Sequence, residues 1–409
     1  MIRAAVVMAL VAVLVLAGTG CGSHPTTSTS QTPVPSENYG DILTSDGAPD
    51  IDPALQSLTA WAQRFTYASR SGIDDSTTHV TGMLLVPKGD PPAGGWRLVA
   101  FGHPSAGSLP GCAPSLSPTL LSSGPVVRAL LEAGYAVAAS DYQGLGPVDS
   151  IQDHTKRPPY HPYLDSTTVG YNVIDSVRAA RALIARAGQS ASDQWLAFGI
   201  GQGGQAVWAA NELAANHGQG LTLLGAVAVS PAADIDGLAD AAESGTLDTE
   251  QALDLQAFLA GLKNAYAGDF DLEDYRSGVV REKWDALLAC QGPSLEERAR
   301  IAAQITPEDL RPRTPTAAST LRGYLRKSTL PQGPTQAPML VIYGGQDPGI
   351  PAPWTERALD RACRMGDVIQ IVRLPDDAAD RLDLPAALDW LGQRVNSVPA
   401  PNDCVGRTP

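Results

Sequence analysis

The run Phe198-Gly199-Ile200-Gly201-Gln202-Gly203-Gly204 sits between an apolar segment of strand character and a segment of helical character. At such a junction a G-x-S-x-G pattern bends the chain sharply and presents a serine oxygen for attack on an acyl carbon. Its outer glycines allow the cramped turn. Here both outer glycines are present, but the centre is Gly201, which carries no nucleophilic atom. The competing interpretation is a phosphate loop, yet the run lacks a Walker lysine and the full dinucleotide spacing with its following acid.

A serine nucleophile also needs a base and an acid. Asp347 closes the segment Tyr343-Gly344-Gly345-Gln346-Asp347, which follows a strand-like run. The six histidines all precede residue 218. Asp376, Asp377 and Asp380 form an acidic turn that reads as solvated. Asp153, His154, His161 and Asp165 share a Pro-rich loop and read as turn and surface residues rather than ligands, and no Cys/His spacing suggests zinc. No metal or other cofactor is expected.

Short β-rich runs alternate with helical patterns, which predicts an α/β domain with a mostly parallel sheet. The candidate strands are His79 to Val86, Arg97 to Phe101, Ala136 to Ser140, Trp195 to Gly199, Leu223 to Val229, Met339 to Tyr343 and Val368 to Leu374. Val173, Val177, Ala180 and Ile184 recur at helical spacing, a second helix follows Gly203, and a last one spans Leu384 to Arg394. From 231 to 336 the alternation gives way to charge-dotted helical sequence, which reads as a cap inserted over the carboxyl ends of the strands. The expected core is therefore 51–230 together with 337–409.

The chain begins with Arg3, an apolar stretch Ala4 to Ala17, and small residues before Cys21, which reads as an export signal over residues 1–20. The small-residue step ending at Cys21 resembles a bacterial lipobox, which implies a lipid anchor on that cysteine, with plain secretion or an uncleaved anchor as the alternatives. Residues 21–50 are rich in Ser, Thr and Pro and read as a disordered tether. In an oxidising compartment Cys112, Cys290, Cys363 and Cys404 allow three pairings, of which Cys112 with Cys290 and Cys363 with Cys404 is expected. With 43 acidic against 29 basic side chains the net charge is −14, which excludes nucleic acid as a partner in the absence of a basic stripe. A protein partner is not legible.

Several segments together resemble the secretory lipase family, α/β-hydrolases with a helical cap that cleave acylglycerols and other esters. Gly102-His103-Pro104-Ser105-Ala106-Gly107 with Cys112-Ala113-Pro114-Ser115 is similar to that family's loop after its first parallel strand. Ser140-Asp141-Tyr142-Gln143-Gly144-Leu145-Gly146 is similar to its Asp-Tyr-x-Gly-x-Gly strand end. His161-Pro162-Tyr163-Leu164 with Asp175-Ser176-Val177-Arg178 and Tyr343-Gly344-Gly345-Gln346-Asp347 are similar to its later segments.

The resemblance implies an α/β-hydrolase fold, Asp347 as the triad acid, Gly201 at the position of the nucleophile, and Ala379 near the position of the missing histidine. It also implies an oxyanion loop at His103 to Ser105, in which Pro104 replaces a glycine and removes a backbone donor, with the Gln202 amide as a remaining donor and Tyr142 lining the pocket. The expectation is an envelope lipoprotein that binds a lipid or acyl ester without cleaving it. The alternative is an ester hydrolase rewired around Ser105, His103 and Asp347.

Overall fold

Alternation along the central strands sets the layers of the computed structural model, which describes residues 38–47, 50–147, 149, 160–290, 294–376 and 382–407. In β6 (Ala191–Ile200), Trp195 and Ala197 enter one apolar layer while Leu196 and Phe198 enter the other. A strand buried on both faces needs helices on both sides.

The remaining strands are β1 (Ile42–Asp46), β2 (Thr59–Arg70), β3 (Thr77–Pro87), β4 (Trp96–Gly102), β5 (Ala136–Ser140), β7 (Thr222–Val229), β8 (Met339–Gly344) and β9 (Ile369–Leu374). They form a single nine-stranded sheet of order β1-β2-β3-β5-β4-β6-β7-β8-β9. β1, β2, β3 and β5 pair antiparallel in succession, and from β5 to β9 every pairing is parallel.

One layer is covered by α1 (Pro53–Leu58), α2 (Gly124–Glu132) and α12 (Leu384–Val395). The other is covered by α3 (Ser166–Arg186), α4 (Gln202–His217) and α11 (Ala352–Met365). The expected stripe Val173, Val177, Ala180 and Ile184 is buried against the sheet along α3, whose first turn is capped by Asp165 accepting from Thr168 N at 2.8 Å.

Between β7 and β8 the described residues hold α5 (Gly237–Ser244), α6 (Thr249–Ala265), α7 (Gly278–Glu282), α8 (Trp284–Leu287), α9 (Ser294–Ala302) and α10 (Pro315–Ser328). They have an apolar cluster of their own, with Leu255, Phe258, Leu259, Leu321 and Leu325 at its centre. Disulfides join Cys112 to Cys290 and Cys363 to Cys404, the expected pairing. The first ties the loop after β4 to the cap.

Two strands depart from the sequence reading. β1 lies within the stretch read as a tether, so the folded part extends at least to residue 38, where Gly40 N donates to Ala68 O at 2.7 Å. β2 is a long strand whose continuous buried run is confined to Phe65, Thr66, Tyr67, Ala68 and Ser69. Both sit at the antiparallel edge, where half-solvated strands need little apolar sequence. Cys21 lies outside the described residues, and among the described residues no helix is long and apolar enough to cross a membrane.

Candidate functional site

β4 and β6 are neighbours, with Gly102 paired opposite Gly199, so the loops leaving their carboxyl ends meet. An ideal Cβ on Gly199 would lie 2.0 Å from Gly203 O, and one on Gly203 would lie 2.0 Å from Gly102 O. These backbones approach so closely that only glycine fits. At the apex, Gly201 has φ 58° and ψ −117°, and a Cβ there would meet nothing nearer than Pro104 Cβ at 4.0 Å. The bend thus keeps the shape that presents a side chain into open space, and its apex has none.

Below the apex lies a series of buried rings. His103 stacks on Tyr142 at 4.2 Å, Tyr142 faces His161 at 6.1 Å, and His161 meets Tyr163 edge-on at 6.0 Å. Tyr142, with φ 70°, donates to His103 O at 3.3 Å and is a packing element beneath the loop. Asp141 accepts from Ser115 N (2.9 Å), Ser115 Oγ (2.6 Å) and Thr81 Oγ1 (2.7 Å), which anchors the loop after β4 to β3 and the end of β5. Burial raises its carboxyl above the usual range while these donors oppose the shift.

His161 corrects the sequence reading, which placed it on the surface. It is 1% exposed, its Nδ1 faces Gln143 O at 2.9 Å, and its Nε2 faces Gln202 Nε2 at 2.8 Å. Burial drives its pKa down to about 4, so it is a neutral structural imidazole. Asp165 is half-buried as the α3 cap, and Asp153 and His154 lie outside the described residues.

The proposed pairing of Ser105 with His103 is also corrected. His103 Nδ1 lies 2.7 Å from Pro104 O and Nε2 lies 3.2 Å from Asp141 O, so both nitrogens are turned to main-chain carbonyls. Burial lowers its pKa. Ser105 Oγ instead meets Tyr163 Oη at 2.6 Å, and Tyr163 Oη donates to Asp254 Oδ1 at 2.6 Å. Asp254 sits on α6, and its pKa is pushed up to about 6 by burial, with the Tyr163 hydrogen bond opposing. Ser105, Tyr163, Asp254 and Arg298 line a cavity of about 210 Å³ to which Leu253 and Leu295 add apolar side chains.

Asp347 follows β8, two strands from β6, and its Oδ1 accepts from Ile350 N at 2.9 Å. Asp376 is half-buried, while Asp377, Ala379 and Asp380 lie outside the described residues. Among the described residues no group of three or more His, Cys, Asp or Glu side chains could hold a metal ion.

Sequence reasoning missed Asp254 and Arg298. A signal for the first existed: Asp254, Phe258 and Gly261 share one helical stripe at spacings of four and three, with Phe258 buried.

The family model described as secretory lipase matches residues 122–275, a span that includes the glycine bend and the start of the cap. A search of curated proteins finds no match. The esterase LipA of Xanthomonas oryzae, which degrades rice cell walls, superposes with a TM-score of 0.70 at 19% identity, covering 88% of this chain and all of that one (100%). Candida antarctica lipase A in its closed state superposes with a TM-score of 0.69 at 14% identity, covering 91% of this chain and 88% of that one. At these identities the likeness establishes the fold. The chain is thus a lipase-like α/β-hydrolase-fold protein that carries the secretory lipase match over its central 122–275 segment.

Proposed function

We propose that the chain binds a lipid or acyl ester beneath its cap and does not hydrolyse it at the bend after β6. The observation that carries this reading is the apex itself. The backbone conformation and clearance for a nucleophile persist at Gly201, while the hydroxyl is absent and no histidine follows Asp347. Loss of triad members lowers turnover by roughly a million-fold in serine hydrolases, so the family route is closed here. An apolar cap over the sheet ends, with a few convergent polar groups, is the usual form of a small-molecule site.

Within this proposal Asp347 is the remnant acid, Gly201 marks the lost nucleophile and Ala379 the lost base. Residues 1–20 export the chain, Cys21 carries a lipid at the cell envelope, and 231–336 form the cap domain over a core that begins by residue 38, runs to 230 and resumes over 337–409. The alternative hydrolase built on Ser105, His103 and Asp347 is disfavoured by the carbonyl partners of His103.

The test is organic extraction of the full-length protein purified from an envelope fraction, with mass spectrometry of the extract, beside thermal shifts with fatty acids and short-chain esters. A bound amphiphile and a stabilising shift are expected. An empty extract together with no shift overturns the reading.

A further inference from the structure

The cavity lined by Ser105 combines features that the binding reading does not use. Ser105 stands on the loop after β4, exposed at the cavity mouth. Its hydroxyl opens a chain of two short hydrogen bonds, 2.6 Å to Tyr163 Oη and 2.6 Å onward to Asp254 Oδ1. Tyr163 has one proton and gives it to the carboxylate, so Ser105 must donate to Tyr163. This orders the protons in one direction, from serine through tyrosine to an acid. The Arg298 guanidinium lines the same cavity and is held by Nε donating to Leu287 O at 2.9 Å.

We infer that Ser105 is a displaced nucleophile, activated through Tyr163 by Asp254, that takes an acyl group from an ester held in this cavity. The inference rests on the proposed acyl-binding reading of the pocket. In the step, Ser105 Oγ forms a bond to the acyl carbon as its proton passes to Tyr163 and the Tyr163 proton passes to Asp254. The ester C–O bond then breaks, and the same relay returns one proton to the departing alkoxide, leaving an acyl-serine and a free alcohol. Arg298 supplies positive charge beside the developing oxyanion. Asp254 is a suitable base because its pKa lies near 6, raised by burial, by Glu250 on its own helix and by Asp248 at that helix's N-cap, and lowered by the Tyr163 hydrogen bond and the charge of Arg298. The bend at Gly201 takes no part.

The test treats the full-length chain with an alkyl fluorophosphonate and reads intact mass and peptide maps. Attack forms a P–Oγ bond, breaks the P–F bond and releases fluoride. One adduct per chain on the Ser105 peptide is expected, absent in Ser105→Ala and at least ten-fold slower in Tyr163→Phe and Asp254→Asn. The wild-type rate should rise from pH 5 to 7 with a midpoint near 6, and this profile carries the test on its own if Asp254→Asn fails to fold. An adduct on another residue, or a Ser105 rate no faster than in the urea-unfolded chain, overturns the inference. Binding of cis-parinaric acid is measured in parallel. Binding without labelling removes the nucleophile and leaves the binding reading, whereas labelling without binding does the reverse.

Discussion

Gln202 Nε2 and His161 Nε2 lie 2.8 Å apart in a region where each side chain is 1% exposed. Because His161 Nδ1 gives its proton to Gln143 O, Nε2 is the lone-pair side and the Gln202 amide donates to it. The residue next to the apex is thereby committed to holding the segment before α3 in place.

Replacing either partner alone strands a buried polar group. His161→Leu and Gln202→Leu should each lower stability by about 1–3 kcal/mol in urea unfolding. The double substitution should cost clearly less than the sum of the two. Additive losses would show that the pair is not coupled. Because burial holds the His161 pKa near 4, below its unfolded value, its contribution is present at neutral pH and is lost as pH falls from about 6.5 toward 4.

At the apex, positive φ disfavours any side chain although space is free. Gly201→Ser should fold and lose about 1–2 kcal/mol from backbone strain. Gly199→Ala and Gly203→Ala, whose Cβ atoms would lie 2.0 Å from backbone oxygens, should fail to give soluble folded protein. Equal stability of the three variants, read by circular dichroism and urea midpoints, would contradict the geometry.

Glu212 on α4 accepts from Gln332 N at 3.0 Å and Gly333 N at 3.2 Å, and burial pushes its pKa up to about 8. Its folded pKa exceeds the ordinary glutamate value of 4.5, so the folded state binds the extra proton and this group's contribution falls as pH rises from about 4.5 to 8. Glu212→Gln should therefore gain melting temperature relative to wild type at pH 8 and show little difference at pH 4.5. A pH-independent difference between the two proteins would reject the assignment.

The Cys112–Cys290 bond spans 178 residues and joins the loop after β4 to the cap. Its removal by Cys112→Ser with Cys290→Ser should cost about 2–5 kcal/mol. Limited proteolysis should then cut first within the cap. Unchanged cleavage sites and an unchanged urea midpoint would show that the cap is held by its apolar cluster alone.

The central strands were legible because strands buried on both faces are nearly continuous apolar runs, as in Leu98 to Phe101 and Ala136 to Ala139. β1 was not, since Ile42-Leu43-Thr44-Ser45-Asp46 offers only two apolar residues and resembles the Ser/Thr-rich stretch before it. The glycine bend was legible from spacing, because its steric demands leave a mark in sequence. The Ser105–Tyr163–Asp254 chain was not. It joins three segments far apart in sequence, and each hydroxyl or carboxylate alone resembles an ordinary loop or helix residue.

β1 occupies one edge of the sheet, five places from the strand that carries the glycine bend. Any pull exerted through residues upstream of Asn38 enters the fold at that margin, through the Gly40–Ala68 and Asp41–Ala68 backbone bonds. Mechanical load would peel the rim first and leave the β4–β6 seam undisturbed.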